Sequence, residues 1–473
     1  MTMFVYDRIR HLYEVHPMMD LGHATSAFIR IPFVRGASLL GLISLVLSMP
    51  LMAQRGWDFD CSQAMHPKGS SHLSAASVYS APTSTFGFDF GTVPDAFIGG
   101  SCSNTKPFYF SVMVPDGNYQ VTLELGGPRA STTTVRAESR RLFVKQMNVA
   151  AGQSRRVVFI VNVRTPNIFP PGESNSTGPF PQVRLKQREI GAQDWDDRLT
   201  LEFNGNHPSV RAISIRPIDN VPTIYIAGDS TVVDQAKEPW AAWGQMLPVF
   251  LNSRISVANE AESGETIRSF VSERRLAKVM STIRAGDYLM IQFGHNDQKR
   301  GQGYVPAATD FNAYLLQYIR EARALGATPI LVTPMNRRDF DADGKIVPTL
   351  GDYPQTMREV AAQQDVALID LNALSKTLFE AMGEAGTLHA FVHFPANSFP
   401  DQPTELKDNT HFTSYGAYEL ARAIMQNIQD QKLPIARYLR LPLSPFNPAH
   451  PDSFSAWSLP PSPDFSTTTP YER

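Results

Sequence analysis

Between Phe86 and Gly205 apolar and polar residues alternate along the chain, and the alternation is broken by turn residues. "FDFG", "FYFSVMVPDGNYQVTLELGG", "RLFVKQMNVAAGQSRRVVFIVNV" and "RLTLEFNG" follow the period of two that half-buried strands require. The "PDG" and "GG" steps supply glycines that accept positive φ. Strands this short with no helical pattern between them predict a small β-sandwich over residues 84–206. Val163 to Gln182, "VRTPNIFPPGESNSTGPFPQ", reads as a long surface loop within it. From Val221 the pattern changes. Apolar runs now alternate with helical stretches: "TIYIAG" and "AWGQMLPVFL", "DYLMIQFG" and "FNAYLLQYIREARALG", "TPILVTP" and "TMREVAAQQ", "VALIDL" and "LSKTLFEAMGEAG". This predicts an α/β domain over 220–432, an αβα parallel sheet covered by helices on both faces. Sites on such sheets lie at the carboxyl ends of the strands. The Ser/His/Pro-rich stretch 54–83 reads as a linker. The Pro/Ser-rich tail, 433–473, is expected to wrap the surface or to lack order.

Composition adds boundaries to this picture. At 473 residues the chain has room for two or three domains, and 42% hydrophobic against 19% charged residues excludes a disordered protein. A net charge of −2 gives no affinity for nucleic acid or for a charged membrane surface. Residues 37–53, "ASLLGLISLVLSMPLMA", follow Arg30 and Arg35 and end in small residues, the order of a signal peptide cut after Ala53. The leader 1–53 is long for a signal, and Met18 or Met19 offers an alternative start. The run is short for a span, so the mature chain is expected to be secreted or periplasmic, with no stable membrane insertion. Cys61 and Cys102 lack metal-ligand spacing. They are either one disulfide or two thiols.

The candidate chemistry sits at the predicted strand ends. Gly228-Asp229-Ser230 ends the first, "ESGETIRSF" with Gly264 follows the second, and Gly294-His295-Asn296-Asp297 follows the third. "KDNTHFTSYGAYELARAI" places Asp408 and His411 just before a helix. Acyl transfer needs a hydroxyl, a base for its proton, and a group that holds the base's tautomer. Ser230, His411 and Asp408 meet that need, since a carboxylate three residues before a histidine can reach Nδ1 across one turn. Donors for a developing oxyanion come from the backbone N–H groups of Ser230 and Gly264 and from the Asn296 amide. Asp229 is expected to tie the turn through backbone hydrogen bonds. Taken singly, each motif also has a structural reading as a turn or a cap; their order at successive strand ends favours catalysis.

These four blocks resemble the SGNH hydrolase family, also called GDSL-like esterases. "AGDSTVVDQ", "WGQMLP", "SGETIRSF", "QFGHNDQK", "LVTPMNRR" and "DNTHFTSYGA" look like its rhamnogalacturonan acetylesterase group, over about Thr223 to Ile428. The preceding region resembles a galactose-binding-like sandwich. The resemblance implies a flavodoxin-like αβα fold, no metal or cofactor, and removal of acetyl groups from an acetylated plant polysaccharide. It assigns Ser230 as nucleophile, Gly264 and Asn296 as oxyanion donors, and Asp408 and His411 as the remaining pair. Trp240, Trp243, His295, Arg337 and Arg338 are candidate substrate contacts. Glu265, with Glu260 and Glu262, departs from the pattern, because three carboxylates facing the site would repel a galacturonate chain. Arg337 and Arg338 are candidates to offset them. A lipase or arylesterase of broader scope, and a carbohydrate-binding protein with a vestigial site, are the alternatives.

Overall fold

The computed structural model describes residues 56–62, 69–171 and 178–470. The signal-like run at 37–53 lies outside them. Among the described residues no helix is long and apolar enough to cross a membrane. The N-terminal part is two packed sheets. One is ordered Arg155–Val163, Gly117–Leu125, Ser209–Pro217, Trp57–Asp60, Ser71–His72, with two short strands added beside Ser209–Pro217. The other runs Phe86–Asp89, Phe108–Met113, Arg198–Asn206, Ser131–Ala137, Arg141–Val149. Alternation decides which side chains meet. Tyr119, Val121, Leu123 and Leu125 of the first sheet bury against a core that includes Phe108, Phe110 and Phe203 of the second.

Both expected borders of this region shift. Trp57–Asp60, placed in the linker by its polar surroundings, pairs antiparallel with Ser209–Pro217, Trp57 opposite Ile215. Ser209–Pro217 itself lies beyond the expected end at 206. Four alternating residues among Ser, His and Pro are too few to signal a strand, and only the partner strand reveals them. Cys61 and Cys102 form a disulfide that joins the end of Trp57–Asp60 to the strand Ser101–Ser103. A bridge of this span contributes about 3–4 kcal/mol by restricting the unfolded chain.

The second part is a five-stranded parallel sheet, ordered Ser256–Asn259, Thr223–Ala227, Tyr288–Ile291, Thr328–Val332, Ala367–Ile369. In chain order this is 2-1-3-4-5, so the winding direction reverses between the first and third strands. Ile224 and Ile226 face a core that includes residues of Leu371–Ala390 and Ser414–Asp430. Tyr225 and Ala227, on the opposite face, meet residues of Ile267–Ser272, Arg275–Thr282, Asn312–Ala324 and Tyr353–Gln364. The sheet is covered on both sides, which is why its strands read as continuous apolar runs. The tail is ordered where described. Ile435, Leu439 and Phe446 enter the first of these cores, and Ser462 donates to Glu202 of the sandwich.

Candidate functional site

Ser230 stands where the first parallel strand ends, at the reversal point of the sheet. The turn before it is tight. A Cβ on Gly228 would lie 2.7 Å from Val232 Cγ2 and 3.0 Å from the Gln292 carbonyl oxygen, so only glycine fits there. Asp229 ties the turn, accepting at Oδ1 from the Thr231 N–H at 2.9 Å and its hydroxyl at 2.7 Å. Its carbonyl accepts from the N–H groups of Val232 and Val233. Asp408 and His411 arrive on Leu406–Phe412, which pairs with Phe391–Phe394 as an antiparallel ribbon. Phe391 and Phe412 both pack against Phe379 of the helix Leu371–Ala390, which pins that ribbon to the helical layer.

Three side chains meet in a line. The Ser230 hydroxyl is 2.8 Å from His411 Nε2, and His411 Nδ1 is 2.8 Å from Asp408 Oδ2. Asp408 Oδ1 accepts from the backbone N–H groups of Thr410 at 2.7 Å and His411 at 2.8 Å. Burial alone would raise the Asp408 carboxyl. The hydrogen bonds from the His411 ring and from these two N–H groups outweigh it and hold the group below its usual value. An ionised Asp408 keeps the proton of His411 on Nδ1, leaving Nε2 free to accept from Ser230.

Gly264, at φ 78°, presents its N–H from a backbone conformation that L side chains rarely adopt. Among the described residues neither the Ser230 nor the Gly264 N–H donates to a protein acceptor. The Asn296 amide donates from Nδ2 to the Glu265 carbonyl at 3.0 Å, while Lys299 Nζ donates to its Oδ1 at 3.2 Å. An ammonium only donates, so Lys299 sets which end of that amide is which.

The three glutamates beside Gly264 do not face the site as bare charges. Arg164 Nε lies 3.2 Å from Glu260, and Arg188 Nε donates to Glu262 at 2.7 Å. Lys186 pairs closely with Glu265, and Arg275 Nε is 3.8 Å from it. Arg164, Lys186 and Arg188 all come from the connection between the sandwich strands Arg155–Val163 and Arg198–Asn206. Burial would raise Glu265, but Lys186 and Arg275 pull it below its ordinary value. Glu262 is pushed up to about 7 by burial and by neighbouring Glu189. The arginines expected to offset these carboxylates do something else. Arg337 donates to the His295 carbonyl at 3.2 Å and to the Thr410 hydroxyl at 3.3 Å, bracing two site loops. Arg338 bonds to Thr387 and to the Glu384 carbonyl on the long helix, and its ion pair is with Glu384.

Two further candidates move away from substrate. Trp243 is fully buried and donates Nε1 to Gln292 Oε1 at 2.9 Å, so its ring packs the core and offers no face to a sugar. His295 is buried with Nε2 3.0 Å from the Met335 carbonyl and Nδ1 3.6 Å from Asp229, behind the nucleophile turn. Trp240 stays near the chemistry, edge-on to the His411 ring at 5.9 Å. It lines a cavity of about 580 Å³ with Trp195, Gln235 and Ser263. A second cavity, about 900 Å³, includes Thr266, Asn296 and Arg300 and shares Arg188 with the first. Lys186 and Arg188 escaped the sequence reading. Their signal was the surplus of carboxylates next to Gly264 and the basic run "RLKQR" at 184–188.

The profile of the GDSL-like Lipase/Acylhydrolase family matches residues 226–418, the span from Ile226 in the first strand to the helix after His411. Rhamnogalacturonan acetylesterase RhgT of Bacillus subtilis is 42% identical over 218 residues, 46% of this chain and 93% of its own. Probable rhamnogalacturonan acetylesterase YesY of the same bacterium is 35% identical, over 45% of this chain and 94% of its own. Uncharacterized esterase YxiM, also from B. subtilis, is 27% identical over 68% of this chain and 74% of its own. The chain belongs to the GDSL-like lipase/acylhydrolase family and is a carboxylic ester hydrolase.

Proposed function

We propose that this protein is an exported carbohydrate esterase that removes acetyl groups from rhamnogalacturonan, using Ser230, His411 and Asp408. The observation that carries the mechanism is the line from Ser230 Oγ through His411 to Asp408, with 2.8 Å at each step. Ser230 Oγ attacks the acetyl carbonyl carbon as its proton passes to His411 Nε2. The oxyanion that forms accepts from the Ser230 and Gly264 N–H groups and from Asn296. Loss of one such donor costs about 10²–10³ in rate. His411 then returns its proton to the departing sugar oxygen, leaving acetyl on Ser230. Water, deprotonated by the same ring, releases acetate and restores the hydroxyl.

The names of the two relatives above support the polysaccharide, and the 900 Å³ cavity supports a uronate-bearing chain. Its lining contains lysines and arginines and no carboxylate. Export is supported by the signal-like run at 37–53 and by the Cys61–Cys102 disulfide, which persists in an oxidising compartment. The test is acetate release from acetylated rhamnogalacturonan, xylan and chitin fragments, with p-nitrophenyl acetate and octanoate alongside. Fastest release from rhamnogalacturonan and a preference for acetate are expected. A preference for octanoate would replace this reading with a lipase.

A further inference from the structure

Two cations from outside the parallel-sheet body converge on a single peptide group. Lys186 Nζ donates to the Ser263 carbonyl oxygen at 2.7 Å, and Arg188 donates to the same oxygen from its guanidinium. That carbonyl belongs to the Ser263–Gly264 peptide, whose N–H is the Gly264 donor described above. A peptide group is planar, and its C=O and N–H point in opposite directions. Whatever holds the oxygen therefore aims the N–H. Cations on the oxygen also draw electron density from the amide and strengthen the N–H as a donor.

The segment carrying these cations is itself held. Arg184 N–H donates to the Glu273 carbonyl at 2.9 Å, and the Lys186 N–H donates to Glu189 at 2.8 Å. Glu189 in turn accepts from Trp195 Nε1 and pairs with fully buried Arg275. Lys186 also pairs with Glu265 and Arg188 with Glu262, the residues on either side of the peptide. The arrangement is a clamp of two cations on Glu262, Ser263 and Glu265, the positions around Gly264.

We infer that Lys186 and Arg188 are positioning residues for the oxyanion site. The connection between the sandwich strands Arg155–Val163 and Arg198–Asn206 sets the orientation and donor strength of the Gly264 N–H, and the parallel-sheet body is incomplete without it. This rests on the reading of Ser230 as nucleophile and Gly264 as oxyanion donor. The clamp acts on the transition state, where negative charge develops on the substrate oxygen, and little on the bound ester.

The experiment uses the full chain with p-nitrophenyl acetate, too small to need distant sugar contacts, and a serine-directed phosphonate. Lys186→Met and Arg188→Met should each lower kcat about tenfold with KM within twofold, a part of what losing one donor outright costs. Both should slow phosphonylation of Ser230 by a similar factor, and Arg188→Lys should recover part of the loss. Removing Lys186 weakens the pairing of buried Glu265, so Lys186→Met is also made together with Glu265→Gln. That double variant restores the charge balance but not the bond to Ser263. An equal kcat deficit in it supports the clamp. A lowered melting temperature with kcat and phosphonylation unchanged in every variant would reduce both cations to structural pairs and overturn the inference. Failure of the phosphonate to label Ser230 in the unaltered protein would overturn the nucleophile assignment, and the clamp with it.

Discussion

The cavity that includes Asn296 and the cavity that includes Trp240, whose ring lies edge-on to His411, differ in the chemistry of their walls. The first, about 900 Å³, is lined by Lys186, Arg188, Arg268, Lys299 and Arg300 among small and polar residues. The second, about 580 Å³, sets Trp195 and Trp240 beside Asp194, Asp234 and Arg164. Arg188 borders both. Cations suit the carboxylates of a uronate chain, whereas the two indoles are buried, Trp195 beneath the Arg164 guanidinium at 4.6 Å, and they pack the second wall. Ser230 itself is only 1% exposed and lines neither cavity. Each wall takes residues from the N-terminal part of the chain as well as from the parallel-sheet body. Both cavities therefore lie at the seam between them, whereas Ser230, Asp408 and His411 all belong to the body.

That division can be broken most decisively at its centre. Ser230→Ala should reduce turnover of every ester by about 10⁶, whichever wall the substrate uses. Asp408→Asn should cost about 10⁴, because it leaves the nucleophile in place and disturbs the tautomer of His411. Steady-state rates on p-nitrophenyl acetate and on acetylated rhamnogalacturonan measure both. If Ser230→Ala kept activity on either substrate, a second reaction centre would be required.

A smaller effect separates the walls. Arg300 is exposed and stacks on Tyr304 at 4.4 Å, and Arg268 donates to the carbonyl oxygens of Gln302 and Tyr304. Among the described residues neither charge is neutralised by a carboxylate. Arg300→Gln should lower kcat/KM on acetylated rhamnogalacturonan about fivefold, the scale of an exposed charge pair, and spare p-nitrophenyl acetate. Raising salt should weaken the unaltered protein on the polymer in the same direction, since screening acts on exposed charges. Equal losses on acetylated xylan, a neutral backbone, would show that the cationic wall does not read charge.

The candidate site of the body stood out along the chain because its parts are local. Gly228-Asp229-Ser230, Gly264, Gly294 to Asn296, and Asp408 with His411 are short motifs at strand ends, and apolar runs alternating with helices announce the parallel sheet. The seam was not legible, because its contacts join residues far apart. Arg164 meets Glu260, Lys186 meets Glu265, and Arg141 Nε lies 3.2 Å from Asp234. No local period records such pairs. Trp243 misled for a related reason. An indole near the nucleophile reads as a sugar platform, but its N–H finds Gln292 in the core. The strand Trp57–Asp60 and the ribbon holding His411 were hidden likewise, since a short strand is recognisable only beside its partner.

The smallest expected effect concerns a buried acid behind the cationic wall. Asp297 follows Asn296, is fully buried, and accepts from the N–H groups of Ile267 and Gly294 at 2.8 and 2.9 Å. Burial, reinforced by neighbouring Asp229, pushes its carboxyl up to about 8 against the pull of these N–H groups. The sign follows from linkage. The folded state holds this proton more tightly than the unfolded chain, where the value is about 3.9. Its stabilising contribution is present below that unfolded value and is lost progressively as pH rises towards the folded one. Asp297→Asn cannot titrate, so it escapes this loss. It does, however, turn an amide donor towards one of the two N–H groups, a cost of about 1–3 kcal/mol at every pH. Melting temperatures of the two proteins should therefore be furthest apart near pH 5, with the variant lower, and should converge by a few degrees as pH approaches 8. A difference that stays constant across that range would mean that Asp297 is ionised in the fold throughout. The loop carrying Asn296 would then be held by a carboxylate and not by a neutral acid.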